Sequence, residues 1–305
     1  MRGIKAYRFQ IPLQRSLPLK DRVHTERSGI LLERDGRWAE ASPLPGFSQE
    51  TLDDVVAALR GEKAEPASLQ FALNSLEQPE LEQTEIPFNY LLLGHREQIL
   101  EGARRCKQKG CRAAKLKVGR NSASDDIRLV RDVRKLLGSE IQLRLDANQA
   151  WSYEQAVKFQ EEITDFGIEY IEEPLTDASR LEELFRQTHV PYALDESLLE
   201  ATALDRFPNV AALVCKPTIL GTQLIEHLLA TGKKIVFSAA FESGVGITRI
   251  VQLAATHGPY TPAGLDTLDW LVDDLLLQSP RKRSGMFRVF GEPLVDTSSM
   301  EQIAL

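Results

Sequence analysis

The sequence predicts an α/β fold in which a small α+β domain precedes a parallel barrel of the (β/α)8 type. Polar and apolar residues alternate in two segments within the first ~40 residues, which is typical of an antiparallel sheet with one exposed face. From residue 86 onward, apolar runs of about four to six residues alternate with amphipathic stretches of about ten to fifteen, which indicates βα repeats. Charged residues recur at the ends of those apolar runs, and they are the strongest indication of a functional site.

The N-terminal sheet is predicted from two alternating segments, residues 4–13 and 30–38. Asp35-Gly36 lies within the second segment and is a typical residue pair for a tight hairpin turn. Residues 16–28 between the segments are polar and lack periodicity, so we predict a surface loop there. The chain therefore begins with a small antiparallel sheet.

Further local signals define the rest of the two domains. Ser48 follows a Pro-Gly turn and is expected to cap a helix. A strand pattern at Met286–Phe290 is expected to return to the N-terminal sheet, which would make the first domain discontinuous. We expect an N-terminal α+β domain, a barrel, and a C-terminal segment that returns to the first domain, over residues 1–85, 86–275 and 276–305, respectively.

Eight apolar runs are the predicted barrel strands: Pro87–Leu93, Ala114–Val118, Gln142–Asp146, Glu169–Glu172, Tyr192–Asp195, Ala212–Lys216, Lys234–Ser238 and Tyr260–Gly264. Predicted helices between them include Arg96–Lys109, Ser124–Leu137, Tyr153–Phe166, Ser179–Thr188 and Thr222–Thr231. Eight parallel strands within about 190 residues fit a closed barrel better than an open doubly wound sheet, although the eighth unit is degenerate. The loop after the first strand carries no glycine-rich dinucleotide or phosphate motif.

Composition and charge exclude several classes of protein. The 37 basic and 44 acidic residues give a net charge of −7, which argues against nucleic-acid binding. The densest basic cluster, Arg281-Lys282-Arg283, is predicted to be a solvated turn. The three cysteines form neither a disulfide framework nor a CxxC pair, no apolar stretch is long enough to span a membrane, and the N-terminus lacks a signal-peptide pattern. We expect a cytoplasmic protein with no nucleic-acid or membrane partner, and the oligomeric state stays open.

Ionised residues occur where the strands of a parallel barrel normally carry apolar ones. Such a residue is costly unless it is paired, bound to a metal, or placed at the open carboxyl ends of the strands, where barrel active sites form. These strand ends carry Lys115, Lys117, Asp146, Glu172, Asp195 and Lys216. Because neighbouring strands lie about 4.8 Å apart, we expect these side chains to converge.

Three of them, Asp146, Glu172 and Asp195, form an all-oxygen ligand set. Three carboxylates that close cannot all stay ionised without a cation between them, and oxygen ligands favour Mg²⁺ over zinc or copper. Magnesium would keep open positions for a small substrate with a bidentate carboxylate. It would then stabilise negative charge on that carboxylate when the adjacent C–H bond is deprotonated.

Lysines flank the predicted metal site. Lys117 fits the general base, because the positive charges of Mg²⁺ and Lys115 favour the neutral amine that accepts a proton. Lys115 is also expected to touch the substrate carboxylate. Lys216 approaches from the opposite wall, where it would stabilise an enolate or act as an acid on the other face. Asn148 shares the inward parity of Asp146 and fits either a supporting contact behind the metal or a buried structural hydrogen bond.

Together these residues resemble the enolase superfamily, specifically its muconate-lactonising subgroup. The motifs are Lys115-Leu116-Lys117, Asp146-Ala147-Asn148, Ile171-Glu172-Glu173-Pro174, Asp195-Glu196-Ser197 and Lys216-Pro217. The resemblance implies a modified (β/α)7β TIM-type barrel with an α+β capping domain formed by the N-terminus and the C-terminal tail. It also implies that the three acids bind Mg²⁺ and that the lysines flank the substrate.

Two loops, residues 41–51 and 263–268, are similar to one dehydratase family within that subgroup. The similarity implies a syn-dehydration in quinone biosynthesis. In this reaction Lys117 removes the proton alpha to a ring carboxylate, and the ring becomes aromatic when hydroxide leaves. Ser238 and Gly264 are expected to bind the substrate, with fewer side-chain hydroxyls than relatives often carry after the seventh strand.

Other functions remain open at this point. A racemase or epimerase of the same superfamily would use Lys117 and Lys216 on opposite faces of its substrate. A Schiff-base aldolase also places a lysine on a barrel strand, but it has no need of three convergent acids. A non-catalytic barrel would have to keep unpaired buried charges at a steep cost in stability.

Overall fold

The computed structural model describes residues 3–19, 22–199 and 204–305. The strands are β1 (Lys5–Leu19), β2 (Arg22–Arg34), β3 (Arg37–Ala41), β4 (Gln83–Pro87), β5 (Asn89–Leu92), β6 (Ala113–Lys117), β7 (Gln142–Asp146), β8 (Ile168–Glu172), β9 (Tyr192–Leu194), β10 (Ala212–Cys215), β11 (Ile235–Phe237), β12 (Arg281–Arg283), β13 (Met286–Phe290) and β14 (Glu301–Ile303). The α-helices are α1 (Leu52–Leu59), α2 (Ala67–Glu77), α3 (Arg96–Gln108), α4 (Ala123–Leu137), α5 (Tyr153–Ile163), α6 (Leu181–Thr188), α7 (Pro217–Ala230) and α8 (Gly244–His257). None of these helices is both long enough and apolar enough to cross a membrane, a finding limited to the described residues.

The N-terminal domain is built on an antiparallel sheet with the strand order β14-β1-β2-β3. Alternate side chains point to one face of this sheet and pack against α1 and α2, where Ala6, Ile30 and Leu32 are fully buried. Asp35 and Gly36 have φ angles of 54° and 81° and form the turn between β2 and β3. The predicted hairpin is therefore confirmed.

The predicted surface loop over residues 16–28 is wrong for the part that the structure describes. Residues 16–19 continue β1 and residues 22–28 belong to β2, and Leu17 pairs with His24. Residues 20 and 21 lie outside the described part. Main-chain hydrogen bonds hold this ribbon together and many of its side chains are exposed, so the strands need no apolar alternation. Side-chain polarity alone could not distinguish it from a loop.

The first helix begins later than the sequence signals predict. Ser48 does not cap it, since the Ser48 hydroxyl accepts a hydrogen bond from the Leu44 N–H at 2.8 Å and stabilises the preceding turn. Thr51 is the capping residue: its hydroxyl accepts from the Asp54 N–H at 3.2 Å, and the Asp54 carboxylate accepts from the Thr51 N–H at 2.9 Å. Both residues are preferred caps, and this reciprocal pair satisfies two N–H groups where Ser48 would satisfy one.

Seven parallel strands, β5 to β11, run in chain order around the second domain. Helices α3 to α8 follow these strands, and apolar side chains from both layers form the largest core of the described residues. Helix α7 is kinked at Gly221, which has φ 71° and ψ 167°. A parallel barrel sheet with a separate antiparallel sheet confirms the predicted fold class.

The barrel closes without a regular eighth strand. Ala263 and Gly264 form isolated parallel bridges to Phe88 and Ser238, next to β5 and β11. The Ala263 N–H donates to the Pro87 carbonyl at 3.0 Å, and the Gly264 N–H donates to the Phe237 carbonyl at 2.8 Å. A two-residue segment thus joins the first and last strands, in agreement with the degenerate eighth unit expected from the sequence.

The C-terminal segment differs from the prediction in two respects. The strand β13 pairs with β4 and β12 in a third sheet, so Met286–Phe290 does not return to the N-terminal sheet; β14 does so by pairing with β1. The basic cluster is β12 and not a solvated turn, because the turn falls at Ser284 and Gly285, with φ angles of 50° and 70°. Lys282 is paired with acids at 2.5 and 2.8 Å, and this neutralises part of the cluster.

Candidate active site

The parallel register brings the charged strand ends to one level of the barrel. Lys117 at the end of β6 pairs with Asp146 at the end of β7, and Asp146 pairs with Glu172 at the end of β8. Glu172 in turn lies beside Ala193 of β9, so Asp195 extends two residues further on the same face. Local sequence places each charge at the end of its strand, and the register places these ends side by side.

Direct contacts join the six charged residues in two groups. The ammonium group of Lys115 lies 2.8 Å from Asp146 Oδ2 and 2.7 Å from Glu172 Oε1. Lys117 Nζ lies 2.9 Å from the same oxygen of Asp146. On the other wall, Lys216 forms an ion pair with Asp195. The tertiary structure therefore brings together all six residues that the sequence singled out.

The three carboxylates are almost inaccessible to water, with exposures of 2% for Asp146, 1% for Glu172 and 6% for Asp195. Burial raises the pKa of Glu172 to about 7; attraction to Lys115 opposes this, whereas repulsion from the other two carboxylates reinforces it. Burial also raises the pKa of Asp195, against the attraction of Lys216. The pKa of Asp146 is lowered, because contacts with two lysines outweigh its burial. The mutual repulsion of these buried carboxylates favours the binding of a further cation beside them.

Two of the lysines are held as cations. Burial alone would lower the pKa of Lys115, but attraction to the three carboxylates outweighs it and raises that pKa well above its usual value. The pKa of Lys216 is also raised, because attraction to Asp195 and Glu196 exceeds the effect of burial. Both side chains therefore act as fixed positive charges at the predicted site.

The residues present fit a divalent cation. Glu173 and Glu196 add to the three carboxylates, so that carboxyl groups outnumber ammonium groups in this cluster of described residues. In the described part of the chain, no three Asp, Glu, His or Cys side chains already form a metal-binding group; the Lys115 ammonium group lies between two of the carboxylates instead. An all-oxygen donor set with excess negative charge suits Mg²⁺.

Asn148 lies directly beside the predicted base. Its Oδ1 accepts a hydrogen bond from Lys117 Nζ at 2.5 Å, and its N–H donates to Asp146 Oδ1 at 3.0 Å. Its amide Nδ2 donates to Glu196 Oε1 at 3.0 Å. Asn148 has a φ of 45°, a left-handed conformation that asparagine tolerates better than most residues. It therefore links the predicted base, a predicted ligand and Glu196.

Ser238 and Gly264 meet where the barrel closes. Ser238 follows β11 directly, and its hydroxyl donates to the Gly264 carbonyl at 3.3 Å. Both residues lie at the carboxyl ends of the strands, at the same end of the barrel as the charged cluster. Their role in substrate binding remains a prediction.

A cavity of about 720 Å³ opens beside the charged cluster. One wall is formed by residues 46–49 of the N-terminal domain, and Asp195, Glu196 and Lys216 contribute from the barrel. The Phe47 ring centroid lies 5.4 Å from Lys216 Nζ, which places an aromatic face against a predicted active-site cation. Sequence reasoning assigned no role to Phe47 or Glu196, although Phe47 lies within the loop that resembled a dehydratase family.

Family models and a relative identify the family. The model Enolase C-terminal domain-like matches residues 98–293, and the model MenC, N-terminal domain, matches residues 1–79. The chain is 30% identical to the o-succinylbenzoate synthase of Haemophilus influenzae in an alignment that covers 92% of this chain and 94% of that protein. The chain belongs to the o-succinylbenzoate synthase family. This family lies within the enolase superfamily that the sequence motifs indicated.

Solved structures share the same architecture. The o-succinylbenzoate synthase of Thermosynechococcus elongatus, solved with magnesium in its active site, is 26% identical with a TM-score of 0.78, covering 91% of this chain and 96% of that one. The L-Ala-D/L-Glu epimerase of Bacillus subtilis is 20% identical with a TM-score of 0.80, covering 95% and 96%. The similarity to this epimerase shows that the two proteins share a fold. The predicted enzyme class and barrel fold of the o-succinylbenzoate synthase family are confirmed.

Proposed function

We propose that this chain catalyses the Mg²⁺-dependent syn-dehydration of 2-succinyl-6-hydroxy-2,4-cyclohexadiene-1-carboxylate to 2-succinylbenzoate, a step in menaquinone or phylloquinone biosynthesis. The observation that carries the proposal is the convergence of three buried carboxylates between lysines on two walls of the barrel, in a chain of this family. The magnesium reported in the structure of the Thermosynechococcus elongatus relative supports the same cofactor here.

Asp146, Glu172 and Asp195 would hold the ion in this proposal. When bound, Mg²⁺ supplies positive charge that stabilises the negative charge which develops on the substrate carboxylate. Lys115 contacts two of the proposed ligands, and its positive charge would add to this stabilisation of the substrate carboxylate.

Lys117 is the proposed general base. Its amine removes the proton alpha to the ring carboxylate, and the electron pair of that C–H bond moves toward the carboxylate as an enediolate forms. Asn148 orients the amine through the contact at 2.5 Å. The C–O bond at the neighbouring ring carbon then breaks, hydroxide leaves on the same face, and the ring becomes aromatic. The ammonium group of Lys117 is placed to return a proton to that leaving group.

Lys216 faces the intermediate from the opposite wall, as the proposal requires of a cationic stabiliser. Its ammonium charge is sustained by Asp195 and Glu196, and the Phe47 ring lies against it. A fixed cation there stabilises an enediolate without giving or taking a proton.

An N-acylamino acid racemase or dipeptide epimerase is the second candidate function. It is favoured by the fold shared with the epimerase of Bacillus subtilis and by the two lysines on opposite walls. Such an enzyme needs Lys216 as a second acid–base group, whereas the dehydratase needs only its charge.

The direct test follows aromatic product absorbance after the cyclohexadiene substrate is added to the purified protein with Mg²⁺. We expect turnover with Mg²⁺, none after chelation, and none for Lys117→Met. Lys234→Met serves as a matched control, because Lys234 precedes β11 at the opposite end of the barrel and should leave turnover unchanged. Full turnover in metal-free buffer, or in Lys117→Met, would contradict the mechanism.

The two candidate functions are separated by Lys216→Arg, which keeps the charge but cannot release a proton near neutral pH. We expect this variant to retain a measurable fraction of dehydration. In parallel, a dipeptide is incubated in D₂O with the unmodified protein, and exchange at the alpha carbon is followed. Inversion of configuration at that carbon, with deuterium incorporated, which Lys216→Arg abolishes, together with no conversion of the cyclohexadiene, would favour the epimerase.

A further inference from the structure

Glu173 is a buried carboxylate next to a proposed metal ligand, and its four contacts bridge three loops of the active-site rim. It has 0% exposure and follows Glu172 with a left-handed φ of 44°. Its Oε1 accepts hydrogen bonds from the N–H groups of Asp195 and Ser197, both at 2.8 Å. Its Oε2 accepts from the Ser197 hydroxyl at 2.7 Å and from Gln149 Nε2 at 3.2 Å.

The backbone around Glu173 is strained in the same region. Asn148 and Gln149 have φ angles of 45° and 60°, so non-glycine residues adopt left-handed conformations at the ends of two adjacent strands. Such conformations are unfavourable for residues other than glycine and persist only where surrounding contacts define them. The Gln149 N–H donates to the Glu173 carbonyl at 2.7 Å, which ties the two strained turns together.

These contacts bear directly on Asp195. That residue follows β9, and the loop after it continues into a short 3-10 turn over residues 196–199. Within the described part of the chain, the Asp195 N–H donates to the Glu173 side chain, so the position of the Asp195 carboxylate depends on a side chain from the neighbouring strand end. A carboxylate that accepts several hydrogen bonds from one loop is a rigid anchor for it.

We propose that Glu173 is a positioning residue that holds Asp195 against Asp146 and Glu172, and thereby sets the affinity of this site for a divalent cation. The inference rests on the proposed function, because it takes these three residues as the ligands. Glu173 itself does not face the ion: its two oxygens are occupied by the loops that it joins.

The chain contains a matched control for a purely structural role. Glu182 is also buried and accepts three hydrogen bonds, from the Tyr192 hydroxyl at 2.5 Å and from the Asn209 N–H and side-chain amide at 2.9 and 2.8 Å. It contacts the amino-terminal ends of β9 and β10, at the opposite end of the barrel from the proposed ligands. Removing Glu182 should lower stability as removing Glu173 does, without touching the proposed ligands.

The experiment measures Mn²⁺ affinity by isothermal titration calorimetry and the melting temperature, for the metal-free protein and its variants. We expect Glu173→Ala to weaken Mn²⁺ binding by about tenfold or more, which is the usual effect of removing a side chain that orients a metal ligand. Glu173→Gln keeps one side-chain oxygen to accept from both backbone N–H groups. This variant should therefore retain most of the Mn²⁺ affinity that Glu173→Ala loses. Glu182→Ala should lower the melting temperature and bind Mn²⁺ as the unmodified protein does.

The outcomes distinguish this inference from the proposed function. If the unmodified protein does not bind Mn²⁺, the proposed metal site is wrong. If it binds, and Glu173→Ala binds equally well, the positioning role is overturned while the metal site stands. If Glu173→Ala does not fold, Glu173→Asp decides, because it keeps the charge but shortens the side chain by one methylene group. Weaker Mn²⁺ binding by Glu173→Asp supports the role, and unchanged binding overturns it.

Discussion

A buried arginine lies inside the barrel, on the same strand as Asp146. Arg144 has 0% exposure, and its Nε donates to Glu169 Oε2 at 2.6 Å while one terminal nitrogen donates to the Pro262 carbonyl at 2.7 Å. Glu169 also accepts from Lys234 Nζ at 2.5 Å, near the barrel surface. Since a buried charge without a partner is strongly destabilising, this pair keeps a charged residue tolerable in the barrel interior.

Replacing Glu169 should therefore destabilise the fold much more than replacing its exposed partner. We expect Glu169→Met to lower the free energy of unfolding by about 3 kcal/mol, because it leaves the Arg144 guanidinium buried without a carboxylate. Lys234→Met removes a half-exposed cation and should cost less than about 1 kcal/mol. Urea denaturation monitored by circular dichroism measures the free energy of unfolding of both variants. Similar decreases in the two variants would contradict the expected difference.

The carboxylate of Glu169 also predicts that the stability of the fold depends on pH. Burial would raise the pKa of Glu169, but Arg144 and Lys234 outweigh it and lower that pKa below the usual 4.5. A carboxyl whose pKa is lower in the folded state contributes stability above its unfolded pKa, and this contribution is lost as pH falls through the folded value. As pH falls below about 4.5, the unfolding free energy, measured by urea denaturation at several pH values, should therefore fall less steeply in Glu169→Met than in the unmodified protein.

At the scale of secondary-structure elements, the barrel depends on a close approach at its closing segment. A Cβ atom placed on Gly264 would lie 3.0 Å from the Ser238 Cβ and closer still to the Ser238 hydroxyl. Glycine at this position lets the segment after residue 262 hydrogen-bond to β11 while Ser238 keeps its place at the rim. A side chain at position 264 would therefore displace Ser238.

Gly264→Ala should disturb closure and the proposed substrate site together. We expect a loss of about 1–3 kcal/mol in unfolding free energy from overpacking, and a raised KM for the cyclohexadiene substrate because Ser238 must move. Gly258→Ala is the control, since its nearest neighbour would be the Thr261 hydroxyl at 3.6 Å. Thermal unfolding and steady-state kinetics provide the measurements. An unchanged KM in Gly264→Ala would remove the argument for Ser238 in substrate binding.

At the scale of the whole molecule, buried polar contacts join the N-terminal domain to the barrel. Arg27 of β2 is 3% exposed, and it donates to the Ser42 and Pro43 carbonyls, each at 2.9 Å, and to the Phe241 carbonyl at 3.1 Å. Glu40 of β3 accepts from the Gly246 N–H at 3.0 Å in the first turn of α8. Arg27 thus anchors the start of the loop whose residues 46–49 form a wall of the cavity.

Replacing Arg27 should loosen that wall. We expect Arg27→Met to cost about 3 kcal/mol of stability, because two buried carbonyls and one half-buried carbonyl lose their donor, and to raise KM more than it lowers kcat. Arg34→Met is the control on the same strand, since Arg34 pairs only with the exposed Glu77 among the contacts described and should cost less than about 1 kcal/mol. Denaturation and steady-state kinetics test this. A fall in kcat with KM unchanged would argue against a role for this contact in substrate binding.

Much of the barrel and of the candidate site was predictable from local sequence. Each of Asp146, Glu172 and Lys216 ends an apolar run, and parallel register alone brings such ends together. Other features were not predictable. The polar ribbon of residues 16–19 and 22–28 is held by main-chain pairing, which side-chain polarity does not report. The role of Glu173 depends on hydrogen bonds to a loop that begins 22 residues later in the chain.

Apolar periodicity and the cost of buried charge act locally, so the order of strands and helices in the barrel and the type of residue at each strand end follow from the amino-acid sequence alone. Folding in three dimensions sets which lysine contacts which carboxylate, where the C-terminal strands pair, and how the N-terminal domain forms a cavity wall. Those choices depend on contacts between segments far apart in the chain, such as Arg27 with Phe241 and β14 with β1. The local conformational preferences of a segment do not specify which distant segment it will contact.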